Sequence, residues 1–291
     1  MTRGATTIGD LAFYSLLALA AAGYFLLVVL LLLADLSYTS WSDILRVVSS
    51  KEVRFAFGLS LTTATLAAAL SVLVATPTGY LLSRCSARAS GAPNAWRSKL
   101  VAVADAVFDI PIVAPPLVIG VSLLILFKHP PFSWLSDAVV YEAPAVVLAQ
   151  FVVACAFAVR TMRAAFDQIS DRQEKVALTL GASRSTAFWT VALPQARVGL
   201  LTAATISWSR ALGEFGPILV FASATRMRTE VLPTTIYLEL QAGDLGAALA
   251  VSLLMIGLAV GVLIATRLLI RPGAAAGLLV GPQLTRPAHA D

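Results

Sequence analysis

The segment Glu174–Pro194, EKVALTLGASRSTAFWTVALP, decides the fold, because it lies between two long apolar runs and yet is built for water. It carries the charged residues Glu174, Lys175 and Arg184. Charged side chains and irregular backbone are costly in hydrocarbon, so the segment is expected to lie outside it. Two interpretations fit: an ordinary connector at the membrane surface, or a helical element presented to a partner.

Caps and breakers divide this segment into two short helices. A serine or aspartate with an amide or acidic residue three positions later can start the first helix. A glycine can end that helix in the left-handed conformation, a second serine can cap the next helix, and a proline can end it. In chain order these signals are Ser170 with Gln173 or Asp171 with Glu174, then Gly181, Ser183 and Pro194.

The composition of the chain is that of a membrane protein. Of the 291 residues, 58% are hydrophobic and 13% are charged, whereas soluble domains have about 25% charged residues. The net charge of +5 would suit nucleic-acid binding, but the basic residues cluster in short segments between apolar runs. Such clusters set membrane topology. The sequence therefore predicts a lipid bilayer as partner and no nucleic acid.

Six apolar stretches are long enough, or nearly so, to cross roughly 30 Å of hydrocarbon as helices. They are 11–34, 55–82, 107–127, 144–163, 197–221 and 245–268. The first stretch exceeds the length of a signal peptide core and is expected to be retained. The predicted fold class is an all-α membrane protein with about six transmembrane helices, in a single domain of residues 1–271.

The distribution of lysine and arginine predicts the orientation of the chain. With the N-terminus inside, the inner segments hold 14 of these residues and the outer segments hold 6. This bias places both termini, and the loop at about 166–194, in the cytoplasm. Residues 272–291 are expected to form a disordered cytoplasmic tail, because the chain after Arg271 is rich in glycine, alanine and proline.

Prolines interrupt the third predicted span. Pro111, Pro115 and Pro116 each remove a backbone donor and hinder the preceding helical turn. Discontinuous helices near the middle of the bilayer are typical of transport pathways. The sequence therefore indicates a translocation pathway or gate at these three prolines, with a simple packing kink as the alternative.

The fifth predicted span carries two charges. Arg210 and Glu214 are four residues apart, so they share a helix face and can pair. Gly213, Gly216 and Pro217 make the same stretch deformable. Intramembrane charges usually face a bundle interior or a polar pathway, so we assign these five residues to the pathway or gate. The alternative is a structural ion pair that fixes the register between helices.

The motifs of a self-contained enzyme are missing from the sequence. No stretch reads G-x-x-x-x-G-K-[S/T], so the chain has no P-loop for ATP. The two histidines, His129 and His289, and the two cysteines, Cys85 and Cys155, lack metal-ligand spacing and a catalytic partner. We therefore expect no catalytic residue, no metal and no cofactor on this chain.

The segment Glu174–Pro194 resembles the EAA loop of ABC importer permeases. The family pattern has an acidic start, a glycine, nine further residues, an apolar residue, any residue and then Leu-Pro. Lys175 and Val176 depart from it, since glutamate and alanine are more usual there. The resemblance implies that the matching residues couple the spans to an ATPase. These residues are Glu174, Ala177, Leu180, Gly181, Ala182, Val191, Leu193 and Pro194.

Three further stretches resemble the molybdate/tungstate branch of this family, and sulfate permeases are close relatives. The stretches are IPIVAPPLVIGVSLL (110–124), SRALGEFGP (209–217) and EVLPTTIYLELQAGDLGAALAVSLL (230–254). The resemblance implies an ABC type I importer permease-like fold, a homodimer, two cytoplasmic ATPase subunits that bind ATP-Mg, and an extracytoplasmic oxyanion-binding protein. It also implies transport by alternating access in the cell membrane.

An ion-coupled secondary transporter and a non-transporting scaffold are the alternatives. A secondary transporter is expected to show internal repeats, and no clear repeat is visible in the sequence. The interrupted third span and the Arg210/Glu214 pair argue against a scaffold. On the outer side, Arg226 and Arg228 are expected to raise the local concentration of an anion, with a docking loop for the binding protein or simple solvated charges as the alternatives.

Overall fold

The computed structural model describes residues 8–89 and 95–269, and every regular element in these ranges is helical. The first half contains α1 (Ile8–Tyr38), α2 (Trp41–Ser49), α3 (Lys51–Ala89), α4 (Ala95–Val113), α5 (Pro116–Leu126), α6 (Ser136–Val139) and α7 (Ala143–Asp167). The second half contains α8 (Asp171–Thr179), α9 (Arg184–Ala187), α10 (Leu193–Gln195), α11 (Arg197–Leu212), α12 (Gly216–Phe221), α13 (Leu232–Gln241) and α14 (Leu245–Leu269). A 3₁₀ turn covers Phe132–Leu135, and a π-helical segment covers Phe188–Ala192. The predicted tail at 272–291 lies outside the described residues.

Four helices in the described ranges are long and apolar enough to cross a membrane. They lie at Phe13–Tyr38, Lys51–Ser86, Ala143–Asp167 and Leu245–Thr266. The all-α membrane fold is thereby confirmed, as are four of the six predicted spans, 11–34, 55–82, 144–163 and 245–268. None of the residues in the most apolar part of α1 is buried, although α1 contacts α14.

The third predicted span, 107–127, is wrong as a single helix. α4 and α5 meet at an angle of 110°, and the break lies immediately before α5. Pro115 has an extended backbone with ψ of 132°, and Pro116 opens α5, where its missing amide hydrogen breaks no helical hydrogen bond. Pro111 does not interrupt the helix, because α4 continues past it to Val113. If the bent pair is counted as one crossing, the described chain has five.

The fifth predicted span, 197–221, is also divided. α11 ends at Leu212, and α12 begins at Gly216. Gly213 is the C-cap of α11, and Pro217 lies in the first turn of α12. α11 has 16 residues and α12 has 6, fewer than the roughly 20 that a crossing requires. Neither piece alone therefore spans the hydrocarbon.

Helices α3, α7 and α11 form the centre of the fold, because small residues let their backbones approach closely. A Cβ atom placed on Gly79 of α3 would lie 2.7 Å from the backbone nitrogen of Arg163 in α7. A Cβ atom placed on Gly199 of α11 would overlap the Cβ of Ala165, also in α7. These contacts hold the first half of α11 against the last half of α7.

Candidate functional site

The segment singled out in the sequence forms two short helices, as predicted. Ser170 caps α8 by accepting a hydrogen bond from the backbone nitrogen of Arg172 at 3.3 Å. Gly181 has a φ of +89°, the left-handed conformation that ends α8. Ser183 caps α9 by accepting a hydrogen bond from the backbone nitrogen of Thr186 at 3.1 Å. Local cap signals therefore determine this part of the backbone.

Pro194 does not end the second helix, so that prediction is wrong. α9 continues into the π-helical segment Phe188–Ala192 and then into α10, whose first turn contains Pro194. Proline lacks an amide hydrogen, and a single π turn is one way in which a helix absorbs such a mismatch. Val191 and Leu193 lie in this irregular stretch and are half-buried.

The helix pair presents apolar side chains to its surroundings. Leu180 is 83% exposed, and Val176 and Trp189 are exposed as well; we call these three residues the exposed apolar face. Ala177 and Ala182 are half-buried. Exposed large apolar side chains on short helices outside the long apolar spans are typical of a protein-binding surface.

Lys175 is one of the two positions at which the sequence departs from the EAA pattern, and its side chain pairs with a residue of the same helix. Its Nζ lies 2.6 Å from a carboxylate oxygen of Asp171, one turn earlier in α8. The hydrogen bond from Lys175 lowers the pKa of the Asp171 carboxyl below its usual value. Both side chains are at least partly exposed, so this pair belongs to the solvated side of α8.

The buried side of α8 is fixed to the rest of the chain through Glu174. The buried carboxylate of Glu174 accepts hydrogen bonds from the Tyr80 hydroxyl at 2.8 Å and from Nε of Arg84 at 3.0 Å. Arg84 is buried too, and its Nη1 donates to the backbone carbonyls of Phe166 and Ile169, both at 3.2 Å. One arginine therefore joins α8 to α3 and to the end of α7. We call this arrangement the Arg84 junction.

Sequence reasoning missed two members of the Arg84 junction. It assigned Glu174 to coupling with an ATPase, whereas the structure pairs Glu174 with Arg84 of the same chain. It counted Arg84 only as a topology charge and did not consider Tyr80. The available signal was their spacing: residues 80 and 84 are four apart and share one face of α3.

The two interrupted spans, predicted separately, pack against each other. A Cβ atom placed on Gly216, at the start of α12, would lie 2.9 Å from the Cβ of Pro116, at the start of α5. A Cβ atom placed on Gly120 would lie 3.0 Å from the Cα of Pro217. Each half-helix therefore presents a proline to a glycine of the other. Side chains larger than hydrogen at either glycine would push the pair apart.

The predicted pair between Arg210 and Glu214 is present. Nη1 of Arg210 lies 3.0 Å from Oε2 of Glu214, whose side chain is 1% exposed, while that of Arg210 is 33% exposed. The nitrogen is close enough for an ion pair but not aligned for a hydrogen bond, so that Oε2 has no hydrogen-bond donor among the described residues. The guanidinium of Arg210 also lies 5.7 Å from the ring centre of Phe157 in α7.

The arginines of the predicted outer segment have carboxylate partners. Arg226 pairs with Glu239 at 2.8 Å, and Arg228 contacts Glu142. The hydrogen bond to Glu239 raises the pKa of Arg226 further. Neutralised in this way, the two arginines attract a passing anion less than isolated charges would. Within the described residues, no group of three or more histidine, cysteine, aspartate or glutamate side chains is arranged to hold a metal ion.

Comparison with known proteins assigns the chain to one family. The family described as "Binding-protein-dependent transport system inner membrane component" matches residues 79–271. The "Molybdate/tungstate transport system permease protein WtpB" of Pyrococcus abyssi (strain GE5 / Orsay) is 29% identical over 261 residues, which are 88% of this chain and 96% of that protein. The "Probable sulfate transport system permease protein cysT" of Zygnema circumcarinatum is 28% identical over 249 residues, 82% of this chain and 83% of that protein.

A solved structure agrees with the fold. It is the crystal structure of a bacterial alginate ABC transporter in complex with an alginate pentasaccharide-bound periplasmic protein. One chain of it aligns with a TM-score of 0.67 and 17% identity, covering 91% of this chain and 96% of that chain. The architecture is therefore that of a type I ABC importer permease. Since the family match covers well over half of the sequence, this chain belongs to the binding-protein-dependent transport system inner membrane components, the permease subunits of ABC importers.

Proposed function

We propose that this chain imports molybdate or tungstate across the cell membrane by alternating access, driven by ATP hydrolysis on a separate subunit. The observation that carries the proposal is the helix pair, with one exposed apolar face and one face fixed to α3 and α7 by the Arg84 junction. A short helix seats in a groove of a partner through a few apolar anchors. The junction then passes the movement of the partner to the spans.

The proposed assembly contains two copies of this chain, two cytoplasmic ATPase subunits that carry ATP-Mg, and an extracytoplasmic oxyanion-binding protein. The exposed apolar face would bind the ATPase, and the lysine and arginine bias supports a cytoplasmic location of the helix pair and both termini. The residues proposed for coupling are Glu174, Ala177, Leu180, Gly181, Ala182, Val191, Leu193 and Pro194.

The proposed gate lies where the two interrupted spans meet. The close contact of Pro116 with Gly216 supports this placement, because a change in the angle of one half-helix must move the other. Arg210 and Glu214 lie beside the second break, on the side of α11 that reaches Phe157. The residues proposed for the pathway or gate are Pro111, Pro115, Pro116, Arg210, Gly213, Glu214, Gly216 and Pro217.

Sulfate is the second candidate substrate. The molybdate/tungstate permease and the sulfate permease are 29% and 28% identical to this chain, respectively, so sequence similarity alone favours neither substrate strongly. Molybdate, tungstate and sulfate are all tetrahedral dianions. Three stretches of the sequence resemble molybdate/tungstate permeases and favour the first candidate. They are 110–124, 209–217 and 230–254.

Reconstitution tests the proposed function directly. The purified chain with its ATPase, in proteoliposomes, is expected to hydrolyse ATP faster when a binding protein loaded with molybdate or tungstate is added. Labelled molybdate should accumulate at the same time, and excess sulfate should compete weakly. Strong competition by sulfate would favour the second candidate. No stimulation by any tetrahedral oxyanion would count against an oxyanion importer.

A further inference from the structure

A second set of charges lies between α4 and α7. Asp105 and Asp109 are one turn apart in α4, and Arg160 and Arg163 are one turn apart in α7. Nη2 of Arg160 lies 3.3 Å from Oδ2 of Asp109, and Arg163 contacts Asp105. The four residues therefore form a ladder of two ion pairs.

The two ion pairs differ in exposure. The side chain of Arg163 is 24% exposed and also lies 3.7 Å from Asp167. The side chain of Arg160 is 65% exposed. Arg160 is seven residues before the end of α7 at Asp167, about 10 Å along the helix axis. An exposed arginine inside a span faces a bundle interior or a water-filled space rather than lipid.

Arg160 lines a cavity of about 450 Å³ between α7 and α11. Hydroxyl and amide side chains of Thr161, Gln168 and Gln195 also line it. Phe157 lies in the same wall, one turn before Arg160, and its ring lies beneath the guanidinium of Arg210. Phe157 therefore contacts Arg210 and also lines the cavity of Arg160, which continues to the start of α11.

We propose that Arg160 is an anion-binding station in the inner half of the translocation pathway, where the transported oxyanion replaces Asp109 as its partner. This inference rests on the proposed function. The planar guanidinium presents parallel donors that match the oxygens of an oxyanion. Asp109 satisfies the arginine between transport events and competes with the anion, so that binding stays weak enough for release.

Paired substitutions separate this role from a purely structural contact. In the reconstituted complex, Arg160→Gln is expected to lower molybdate or tungstate uptake about tenfold, the effect of losing one charge-assisted hydrogen bond. Arg160→Lys should retain an intermediate rate. Asp109→Asn removes the competing carboxylate, so it should lower, not raise, the substrate concentration that gives half-maximal uptake. Wild-type uptake by Arg160→Gln, or equal losses in Arg160→Gln and Asp109→Asn, would overturn the proposal.

A second measurement needs no partner subunit. Ala164 is exposed, lines the same cavity and lies one turn beyond Arg160. In membrane vesicles containing Ala164→Cys with Cys85→Ser and Cys155→Ala, we compare the reaction rates of a negatively and a positively charged thiol reagent of equal size. The ratio of the negative to the positive rate should be about threefold or more higher with Arg160 than with Arg160→Gln. A ratio unchanged by Arg160→Gln would refute the anion station.

The two measurements also separate this inference from the proposed function. If the wild-type complex imports no oxyanion while the thiol reagents still show an Arg160-dependent charge preference, the substrate assignment fails and the anion station stands. If the wild-type complex imports molybdate and Arg160→Gln imports it equally well, the station fails and the proposed function stands.

Discussion

Two Arg–Glu pairs with a buried carboxylate differ in how completely they are satisfied. In the Arg84 junction, Glu174 accepts hydrogen bonds from Tyr80 and Arg84, and Arg84 also donates to two backbone carbonyls. In the interrupted fifth span, Glu214 has an ion contact with Arg210 but no aligned hydrogen bond to that oxygen. The first pair is a fixed connection, and the second is able to exchange partners.

The difference matches what a permease needs at each place. Under the proposed function, movement of the helix pair is transmitted to the spans only if α8 cannot shift against α3 and α7. The hydrogen bonds of the Arg84 junction hold these three helices together. A gate, in contrast, needs two states of similar free energy. The loosely held pair beside the break after Gly213 is suited to that requirement.

The largest expected effect comes from breaking the fixed pair. Glu174→Ala leaves the guanidinium of Arg84 buried without its carboxylate, which costs about 3–5 kcal/mol. We expect a large drop in the unfolding temperature of the purified chain and loss of ATP-driven uptake. The matched control is the double variant Arg84→Met/Glu174→Leu, in which no charge is left buried and stability should largely return. Unchanged stability of Glu174→Ala would mean that the junction is not a structural connection.

Breaking the loose pair should cost less stability but still impair transport. Glu214→Ala removes the partner of Arg210, and because Arg210 is partly exposed we expect a loss of about 1–3 kcal/mol. Uptake by the reconstituted complex should fall clearly below that of the wild type. Glu239→Ala, which removes the partner of Arg226 in the predicted outer segment, serves as control and should change uptake little. Full transport by Glu214→Ala would remove the pair from the proposed gate.

Two glycines test whether the turn that ends α8 contributes to coupling with the ATPase. Gly181 and Gly243 both have positive φ, +89° and +80°, and a Cβ atom on either would meet open space. Alanine at each site should therefore cost a similar amount, about 1–2 kcal/mol of backbone strain. Only Gly181→Ala should weaken stimulation of the ATPase by loaded binding protein. Equal stimulation in both variants would contradict the coupling role of residue 181.

Glu230 extends the comparison to a carboxylate with still fewer partners. It is fully buried, and neither of its oxygens accepts a hydrogen bond among the described residues. The hydroxyl of Thr235 donates instead to the backbone carbonyl of Val231 at 3.1 Å. Burial raises the pKa of Glu230; Thr235 and Arg226 oppose this shift, and nearby Glu239 and Glu52 add to it.

The smallest expected effect concerns this carboxylate and depends on pH. With a raised pKa, the folded chain holds the proton of Glu230 to higher pH than the unfolded chain does. Stability therefore falls as pH rises from the unfolded to the folded pKa and stays lower above it. Glu230→Gln does not ionise, so it should unfold about 2–4 °C higher at pH 8, equivalent to roughly 1 kcal/mol, with a smaller difference at pH 5. Thermal unfolding at both values checks this, and a difference independent of pH would contradict it.

Sequence reasoning succeeded where the signals act within one helical turn. Ser170, Gly181 and Ser183 each fix the backbone next to them, and the structure has both helices where these residues indicate. Pro115 likewise marks a break, because a proline restricts its own backbone and that of its neighbour. The pair between Arg210 and Glu214 also follows from local spacing.

The features that escaped prediction depend on contacts between distant parts of the chain. Glu174 and Arg84 are 90 positions apart, and no local pattern connects them. The angle of 110° between α4 and α5 is stabilised by α12, which lies far along the sequence. Pro194 was mispredicted for a different reason. A proline usually ends a helix, but the π-helical segment before Pro194 lets the helix continue.

The mutual packing of α5 and α12 also sets an order of events during synthesis. α5 has 11 residues, too few to cross a bilayer alone, and its packing partner begins about 90 residues after Leu126, at Gly216. At about 5–20 residues per second, the ribosome delivers α12 roughly 5–20 s after α5. During that interval α5 lacks its packing partner α12. A nascent chain that stalls before Gly216 is therefore expected to leave the side of α5 that packs against α12 uncovered.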